Sequence, residues 1–466
     1  MGGADRSDNN VEAPEDTPMP PNESPHLPSG LTRREFVQTT AAAGLMMTIP
    51  ALAQEPPKNT DDLKVAIIGP GSQGRLLMTM ALKIPGIRFV AVCDIWPYHQ
   101  RYARNILKKY GHQAAVYTDY RELLAKEHDL DAVIVATPDW MHVEHATACL
   151  KAGKHVYCEK EVSNTIEKAA ELVKVARQTG KLCQVGHQRR SQPRYWHSLK
   201  MIEKDKVCGR ITHVYGQWNR TRALERGWPK KHPLDAETLK RFGYGSMEEL
   251  RNWRWYRKYS GGPIADLGSH QLDIFNWFLK TPPRAVLASG GLDYYTQVPG
   301  RNWYDNIETV YEWQTAAGVV RGMYQVLNTT SMGGFYEQFM GDEGTLVISD
   351  DGKTGYVVRE VTAKRREWED EADKIEKMGR DAIELKIGET LTPEGKKDPK
   401  AQKLLEASKK DSRLLHLENF FRAIREGTPL SCPPDVAFET TVTVLRANEA
   451  VESGCKVKFK PEEFTV

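Results

Sequence analysis

A short strand that runs directly into a glycine-rich loop and a helix constrains this chain more than any other feature. Residues 64–68 (KVAII) form an apolar, β-branched run typical of a buried strand, and residues 69–74 (GPGSQG) follow at once. Apolar residues then recur at helical spacing up to residue 84. A second apolar run, residues 89–93, ends at Asp94. This order predicts the first βαβ unit of a parallel sheet.

The glycine loop and Asp94 together predict a dinucleotide site. The first glycine permits a tight turn, the second lets the backbone approach a pyrophosphate, and the third lets helix and strand pack closely. The helix amino terminus offers unpaired N–H groups to the phosphates. Asp94 follows Gly74 by twenty residues, where a carboxylate accepts from adenosine ribose hydroxyls and repels a 2′-phosphate, so we expect NAD rather than NADP. The expected contacts are Gly69, Gly71, Ser72, Gln73, Gly74 and Asp94.

Strands and helical segments continue to alternate up to residue 186. Strand-like runs occupy residues 130–137, 154–158 and 181–185, with amphipathic segments between them. This alternation predicts an α/β fold with a doubly wound parallel sheet, whose ligands lie beyond the carboxyl ends of the strands. That edge also holds Thr137, Pro138, Glu159 and Lys160 as expected cofactor contacts.

The amino-terminal residues resemble an export signal. Residues 1–30 are rich in Pro, Asn, Asp and Ser without apolar periodicity, which indicates disorder. The pair Arg33-Arg34 then precedes a weakly apolar stretch and the small-x-small sequence 51–53. An ordinary amphipathic helix is the alternative. We expect residues 1–53 to direct export through the twin-arginine pathway, to the periplasm or otherwise out of the cytosol.

Composition narrows the remaining classes of protein. A chain of 466 residues suggests two or three domains, and 65 basic against 62 acidic residues leave no polybasic surface for nucleic acid. No apolar run reaches the roughly 20 residues that span a bilayer. We expect a dinucleotide domain at 62–186 and a second domain at 187–466. A charged insertion at about 350–412 is expected to form exposed helices on its surface.

Four motifs in this order resemble the Gfo/Idh/MocA oxidoreductases. They are residues 69–74, 136–138 (ATP), 158–160 (CEK) and 261–273 (GGPIADLGSHQLD). The resemblance implies a carboxy-terminal α/β domain with an open, mostly antiparallel sheet and a homodimer or homotetramer formed through it. It also implies His142 on the cofactor side, after the Thr-Pro segment. The family usually has proline where this chain has Glu161, near the expected nicotinamide.

The chemistry of alcohol oxidation indicates roles for three side chains. Removing a hydride from carbon requires a base to take the hydroxyl proton. On a helix, Asp266 and His270 would share one face, where a carboxylate orients an imidazole. The resemblance implies Lys160, Asp266 and His270 as the catalytic set. We assign His270 as proton acceptor, Lys160 as donor and polariser, and Asp266 as orienter, while the reverse roles of the lysine and the histidine stay open.

Plainer interpretations of the same residues exist. Lys160 could be a solvated surface lysine, and Asp266 with His270 a helix cap. A metal site from His270 and Asp273, with His142 and His145, lacks the convergent ligand spacing that divalent ions need. We therefore expect no metal, and expect both His142 and His145 on a solvent-facing helix.

An aromatic and basic stretch between residues 218 and 259 is expected to wall the substrate pocket, because sugar rings bind aromatic faces and arginine donors. A tryptophan-rich core is the alternative. The expected substrate contacts are Arg189, Tyr195, Trp255, Tyr256 and Asp273. The sequence thus favours an exported oxidoreductase acting on a sugar, glycoside or polyol with tightly bound NAD. An NAD-dependent glycosidase or lyase that passes through a keto-sugar, and a non-catalytic binding protein, are the alternatives.

Overall fold

The computed structural model describes residues 62–221, 225–366, 369, 374–377, 379–385 and 406–466. The predicted export signal lies outside these residues. Strands β1 to β16 are Leu63–Ile68, Ile87–Cys93, Ala115–Tyr117, Ala132–Val135, His155–Cys158, Cys183–Val185, Ile211–Asn219, Pro283–Gly291, Asn306–Thr315, Gly318–Leu327, Phe335–Gly341, Gly344–Ile348, Gly355–Arg359, Lys374–Lys377, Arg380–Glu384 and Val457–Lys458.

Helices within the described residues are labelled α1 to α11. They are Ser72–Ala81, Pro97–Lys109, Tyr120–Lys126, Asp139–Lys151, Ile166–Thr179, Pro193–Glu203, Ala236–Arg241, Met247–Arg251, Ser269–Leu279, Ser412–Glu426 and Pro434–Ser453. A π-helical turn, Ile264–Gly268, leads into α9, and 3₁₀ turns occupy Gln188–Ser191, Trp253–Trp255 and Pro461–Phe464. None of the described helices has the length and apolar character to cross a membrane. All seven cysteines are free, and six are buried.

The first sheet has six parallel strands in the order β3-β2-β1-β4-β5-β6. The central strand β4 reads Ala-Val-Ile-Val with all four residues inaccessible, and β1 is buried from Val65 onward. Strand order reverses between β1 and β4, and in such sheets the ligand binds beyond the carboxyl ends of the strands at that point. The predicted doubly wound sheet is confirmed.

The second sheet has ten strands in the order β14-β15-β13-β12-β11-β7-β10-β9-β8-β16. Strands β7 and β10 pair in parallel, and the other pairs are antiparallel. Helix α9 packs on one face, where Phe278 stacks on Phe339 with ring centroids 4.8 Å apart. The predicted mostly antiparallel second sheet is confirmed, and this packing holds the residues before α9 beside the first sheet.

The described part of the charged region at about 350–412 contains three strands where exposed helix was expected. Strands β13, β14 and β15 extend the second sheet at its edge. Val357 is inaccessible and Ile383 is 6% exposed, so one face of these short strands reaches the core. The prediction of exposed helices is wrong for these segments, because the high charge of their solvent-facing residues masked an alternating strand pattern.

Candidate active site

The glycine loop has the shape that a dinucleotide phosphate needs. Gly69 has φ of +84°, and a Cβ there would lie 2.7 Å from Thr137 Cγ2. A Cβ on Gly71 would meet only His99 Cε1, at 3.8 Å, so the space above this residue is open. Gly71 also caps α1 without a side-chain hydrogen bond, and the first turn carries no acidic residue. The N–H groups of α1 are therefore available to a pyrophosphate, and the loop fits NAD.

Asp94 lies at the carboxyl end of β2, where the sequence places it. Its Oδ1 accepts from the backbone N–H of Trp96 at 2.8 Å, and its Oδ2 lies 3.1 Å from His99 Nδ1. The side chain is 9% exposed. These contacts fix the carboxylate and leave it acceptor capacity for ribose hydroxyls.

Two further predicted cofactor contacts join the glycine loop to the end of β5. Gln73 donates from Nε2 to Glu159 Oε1 at 3.0 Å, and Glu159 Oε2 accepts from the backbone N–H of Lys160 at 3.2 Å. Pro138 precedes α4, and Ser72 is exposed at the start of α1. This chain of contacts places Lys160 beside the loop.

His142 is a buried structural residue rather than a solvent-facing one. It is 1% exposed, with Nδ1 2.6 Å from the carbonyl oxygen of Glu161 and Nε2 2.6 Å from that of Thr137. One ring N–H of the neutral imidazole donates to one of these carbonyl oxygens, and the ring lies between the ends of β4 and β5. His145 is 8% exposed and lies 3.1 Å from Thr137 Oγ1; burial lowers its pKa to about 3. The solvent-facing prediction is wrong, because this face of α4 packs on the sheet.

Asp266 gathers three cations. The ammonium of Lys160 donates to the Asp266 carbonyl oxygen and lies 3.8 Å from Oδ1. Arg254 Nε donates to Oδ1 at 2.8 Å, and Arg220 Nη2 donates to Oδ2 at 3.3 Å. Burial opposes ionisation, but the charges of these three residues outweigh it and hold the pKa of Asp266 far below its usual range. Asp266 therefore positions Lys160. The contact between its carboxylate and the ammonium lies between the two sheets.

His270 lies in the first turn of α9 beside the aromatic ring of Trp218, with centroids 5.7 Å apart. Its Nδ1 is buried and has no hydrogen-bond partner among the described residues. Burial, followed by the charge of Lys160, lowers the pKa of His270 well below 6.5, so the imidazole is neutral. The structure shows no hydrogen bond between Asp266 and His270. The predicted role of Asp266 as orienter of the imidazole is thus corrected: it orients the lysine.

Three of the predicted substrate contacts are buried structural residues. Asp273 is 1% exposed and accepts from Arg190 Nε and Nη2 and from Thr440 Oγ1, all at 2.8–3.0 Å. Arg189 and Tyr195 are 2% and 0% exposed, and both bind the buried carboxylate of Glu337. A buried charge requires such a partner, and the partners here are protein side chains.

The aromatic and basic stretch between residues 218 and 259 contributes to the site through Arg254, a residue that the sequence did not single out. Trp255 and Tyr256 stay partly exposed, and Arg254, directly before them, is the residue that reaches Asp266. Arg220 from the same stretch also reaches it. Tyr259 belongs instead to a separate apolar cluster with Trp96. Alternation of Arg with aromatic residues in 253–257 was the available signal, but it does not tell which side faces the site.

Among the described residues, no three His, Cys, Asp or Glu side chains are grouped to hold a metal ion. Asp273 accepts from Arg190, and the ring nitrogens of His142 face two carbonyl oxygens. Two of the residues proposed for the alternative metal site, Asp273 and His142, are thus engaged by other protein groups.

Glu161, which departs from the family pattern, has a buried role of its own. Its side chain is inaccessible, and Oε1 accepts from the backbone N–H of Val162 at 2.8 Å and from Thr441 Oγ1 at 2.6 Å. Oε2 has no partner among the described residues. Burial raises the pKa of Glu161 to about 7. Through Thr441, this carboxyl attaches the chain beside Lys160 to helix α11.

We expect Glu161→Gln to flatten the pH dependence of stability. The carboxyl group of Glu161 has a pKa of about 7 in the folded protein and a reference value of 4.5. Between these two values the folded protein binds a proton that the unfolded chain does not. The free energy of unfolding therefore falls as pH rises from 4.5 to 7. Thermal unfolding at pH 5 to 8 should show the wild type losing on the order of 2 °C or more relative to the variant. Glu171→Gln, on an exposed face of α5, is the control; parallel profiles for wild type and Glu161→Gln would contradict the assignment.

Family comparisons agree with this geometry. Residues 63–187 match the Gfo/Idh/MocA oxidoreductase family's NAD-binding Rossmann fold, and residues 209–459 match its C-terminal alpha/beta domain. The chain belongs to the Gfo/Idh/MocA oxidoreductase family. As in that family, its first domain is an NAD-binding Rossmann domain, and the predicted cofactor, NAD, is confirmed at this level.

Curated relatives match part of this Gfo/Idh/MocA chain. An inositol 2-dehydrogenase/D-chiro-inositol 3-dehydrogenase of Shouchella clausii is 35% identical over 147 residues, 31% of this chain and 41% of the relative. A 2,7-anhydro-N-acetylneuraminate hydratase of Mediterraneibacter gnavus is 26% identical over 229 residues, 48% of this chain and 52% of the relative. The chain thus spans about half, or less, of the length of these relatives.

Solved structures share the fold over most of the chain. A levoglucosan dehydrogenase in complex with NADH aligns with TM-score 0.62 at 18% identity, over 86% of this chain and 99% of the other. An oxidoreductase domain protein from Kribbella flavida aligns with TM-score 0.65 at 17% identity, over 86% and 99%. At these identities the likeness shows the fold.

Proposed function

We propose that this protein oxidises a secondary hydroxyl of a sugar, glycoside or polyol. The observation that carries the proposal is the cluster of Lys160, Asp266 and His270, which lies at the carboxyl edge of the Rossmann sheet and is linked to the glycine loop through Glu159. When bound there, NAD supplies the acceptor for the hydride that leaves the carbon. Relatives named for inositol and levoglucosan support a carbohydrate substrate.

The side chains divide the proton chemistry between them. The neutral imidazole of His270 can accept the hydroxyl proton, and the Lys160 ammonium can polarise the same oxygen. The ion pair with Asp266 holds that ammonium in place. Trp218, whose ring lies beside His270 and stacks on Phe335, packs against the imidazole. The reverse assignment, with Lys160 as acceptor, uses the same geometry.

Released cofactor and a sugar screen test the proposal. Purified protein is denatured and the supernatant assayed for dinucleotide; a tightly held cofactor gives NAD without any addition. Native protein is then mixed with sugars and polyols, and the absorbance of bound NADH is followed. Reduction by at least one of them is expected. A protein that releases no dinucleotide on denaturation, and binds none when it is added, would contradict the proposal.

A second candidate, bond cleavage or hydration through a transient keto-sugar, is favoured by the relative named as a hydratase, a reaction with no net oxidation. Incubation with aryl glycosides separates the two. Release of the aryl group without net formation of NADH identifies the second reaction, whereas net NADH identifies the first.

Export of the folded protein is part of the proposal. The twin-arginine pattern at Arg33-Arg34 supports it, and a cofactor held tightly enough to cross with the protein would explain NAD chemistry outside the cytosol. Export is tested by changing both Arg33 and Arg34 to lysine and fractionating the cells. We expect the variant to stay in the cytosol.

We also propose that the chain forms a homodimer or homotetramer through the second sheet. Leu287, Val310 and Met323 are 47%, 37% and 56% exposed and are adjacent in register across β8, β9 and β10. A contiguous exposed apolar row of this kind is typical of an interface. We expect Met323→Glu to shift the mass measured by light scattering towards the monomer, while Met332→Glu, at an exposed loop methionine, leaves it unchanged.

A further inference from the structure

More positive charge surrounds Asp266 than its carboxylate neutralises. Arg254 and Arg220 both donate to it, and the Lys160 ammonium lies 3.8 Å from Oδ1. Two guanidinium groups and one ammonium thus share one carboxylate. A single acid is sufficient to pair one of these cations, so two positive charges are left over in the immediate cluster.

Two nearby acidic residues, Asp139 and Glu159, reduce this excess, and Arg226 adds to it. Asp139 is 3% exposed and hydrogen-bonds Ser260 Oγ at 3.2 Å; burial raises its pKa to about 6. The Glu159 carboxylate accepts from two neutral donors, Gln73 and a backbone N–H, so it adds a negative charge to this region. On the positive side, burial and then the charge of Arg254 lower the pKa of Arg226 to about 10. Arg226 therefore adds a fourth cation to a region that already repels it.

Both arginines keep unused donors on the solvent side of the cluster. Arg254 binds Asp266 through Nε and stacks on the Trp253 ring at 4.1 Å, but neither terminal nitrogen has a hydrogen bond to a described residue. Arg220 uses Nε for Asn328 and Nη2 for Asp266, which leaves Nη1. The side chains of Arg254 and Arg220 are 38% and 31% exposed, against 11% for Asp266 and Lys160, so the arginines line the outer rim.

We propose that the sugar substrate carries an oxyanion, a carboxylate or a phosphate, which binds Arg220 and Arg254. The inference rests on the proposed function, whose site it shares. Guanidinium groups present parallel N–H donors that match these oxyanions, and a partly buried pair of arginines without a full set of partners favours such a ligand. The anion accounts for the surplus charge, and it anchors the substrate while Lys160 and His270 act on a hydroxyl of the ring.

Kinetics with matched sugars test the inference. Hexuronates, hexose 6-phosphates and the neutral hexoses of the same configuration are compared on the NAD-loaded enzyme. We expect an anionic form to exceed its neutral partner by about tenfold or more in kcat/KM, because tenfold corresponds to about 1.4 kcal/mol and a charge-assisted hydrogen bond contributes about as much. The uronate and phosphate arms identify which oxyanion is bound. Arg254→Gln and Arg220→Gln should raise KM for the anion and reduce this preference, whereas Arg257→Gln, whose arginine pairs with Glu452, should preserve it.

Binding of hexuronate and hexose 6-phosphate to the wild-type protein loaded with NADH gives a second readout that needs neither turnover nor a variant. Tryptophan fluorescence should show an affinity for the anion that weakens between 50 and 500 mM NaCl. Neutral hexoses that react as well as or better than the anions would overturn the inference and leave the proposed function standing. Anions that bind in this assay without any sugar being oxidised would overturn the proposed function and leave the anion site standing.

Discussion

Lys160→Met should lower turnover by about 10²-fold or more, the loss expected when an acid–base group is removed. Methionine has a similar length but no charge, so it keeps the packing at a side chain that is 11% exposed while removing the group that polarises the substrate oxygen. Steady-state rates with the best substrate of the sugar screen give the measurement. The loss should fall on kcat, because the ammonium acts on the reacting oxygen.

A matched control and the cofactor content make this result specific. Lys151→Met, at an exposed position in the last turn of α4, should turn over at the wild-type rate. Both variants should release as much NAD on denaturation as the wild type, since Lys160 is assigned to the reaction and the glycine loop to the pyrophosphate. A Lys160→Met enzyme that keeps near-normal turnover would remove the lysine from the mechanism.

Gly71→Val should weaken NAD binding at least tenfold without unfolding the protein. A Cβ at this position meets no atom closer than 3.8 Å, and the backbone φ of −67° suits any residue. The added side chain instead occupies the open space over α1 into which the pyrophosphate must fit. We expect NAD affinity to fall by at least tenfold, a conservative figure for steric exclusion of about 1.4 kcal/mol, with an unchanged melting temperature of the cofactor-free protein.

Calorimetric titration of NAD into apo-protein measures this effect. Gly227→Val is the matched control, because a Cβ there also meets no atom within 4 Å and lies outside the loop. It should bind NAD like the wild type. Normal affinity in Gly71→Val would show that the phosphates do not approach this turn.

Local sequence patterns were sufficient for the Rossmann half of the site. The positions of Gly69, Asp94 and Lys160 follow from strand ends, because parallel strands bring their carboxyl ends to one edge. Helical spacing and the family motif, rather than strand ends, placed Asp266 and His270 on one short segment, 264–279, although it begins as a π-helical turn.

Which side chains hydrogen-bond to each other could not be derived in the same way. Asp266 binds Arg220, 46 residues away, rather than His270 at four residues, and Asp273 binds Arg190 at a separation of 83 residues. Several cationic and acidic residues compete for each other in this chain, and only the packed sheets decide which pairs form. Likewise, burial of His142 depends on which face of α4 meets the sheet, and a helix with apolar residues all round gives no such signal.

The most direct test of the account is a crystal structure with NADH and a sugar that the enzyme oxidises. The account predicts that Lys160 Nζ and a ring nitrogen of His270 both lie within hydrogen-bond reach, about 3 Å, of one sugar hydroxyl over the nicotinamide. Asp266 should still bridge Lys160 and Arg254. A nicotinamide or sugar placed so that either nitrogen is turned away from the reacting hydroxyl would contradict the central claim.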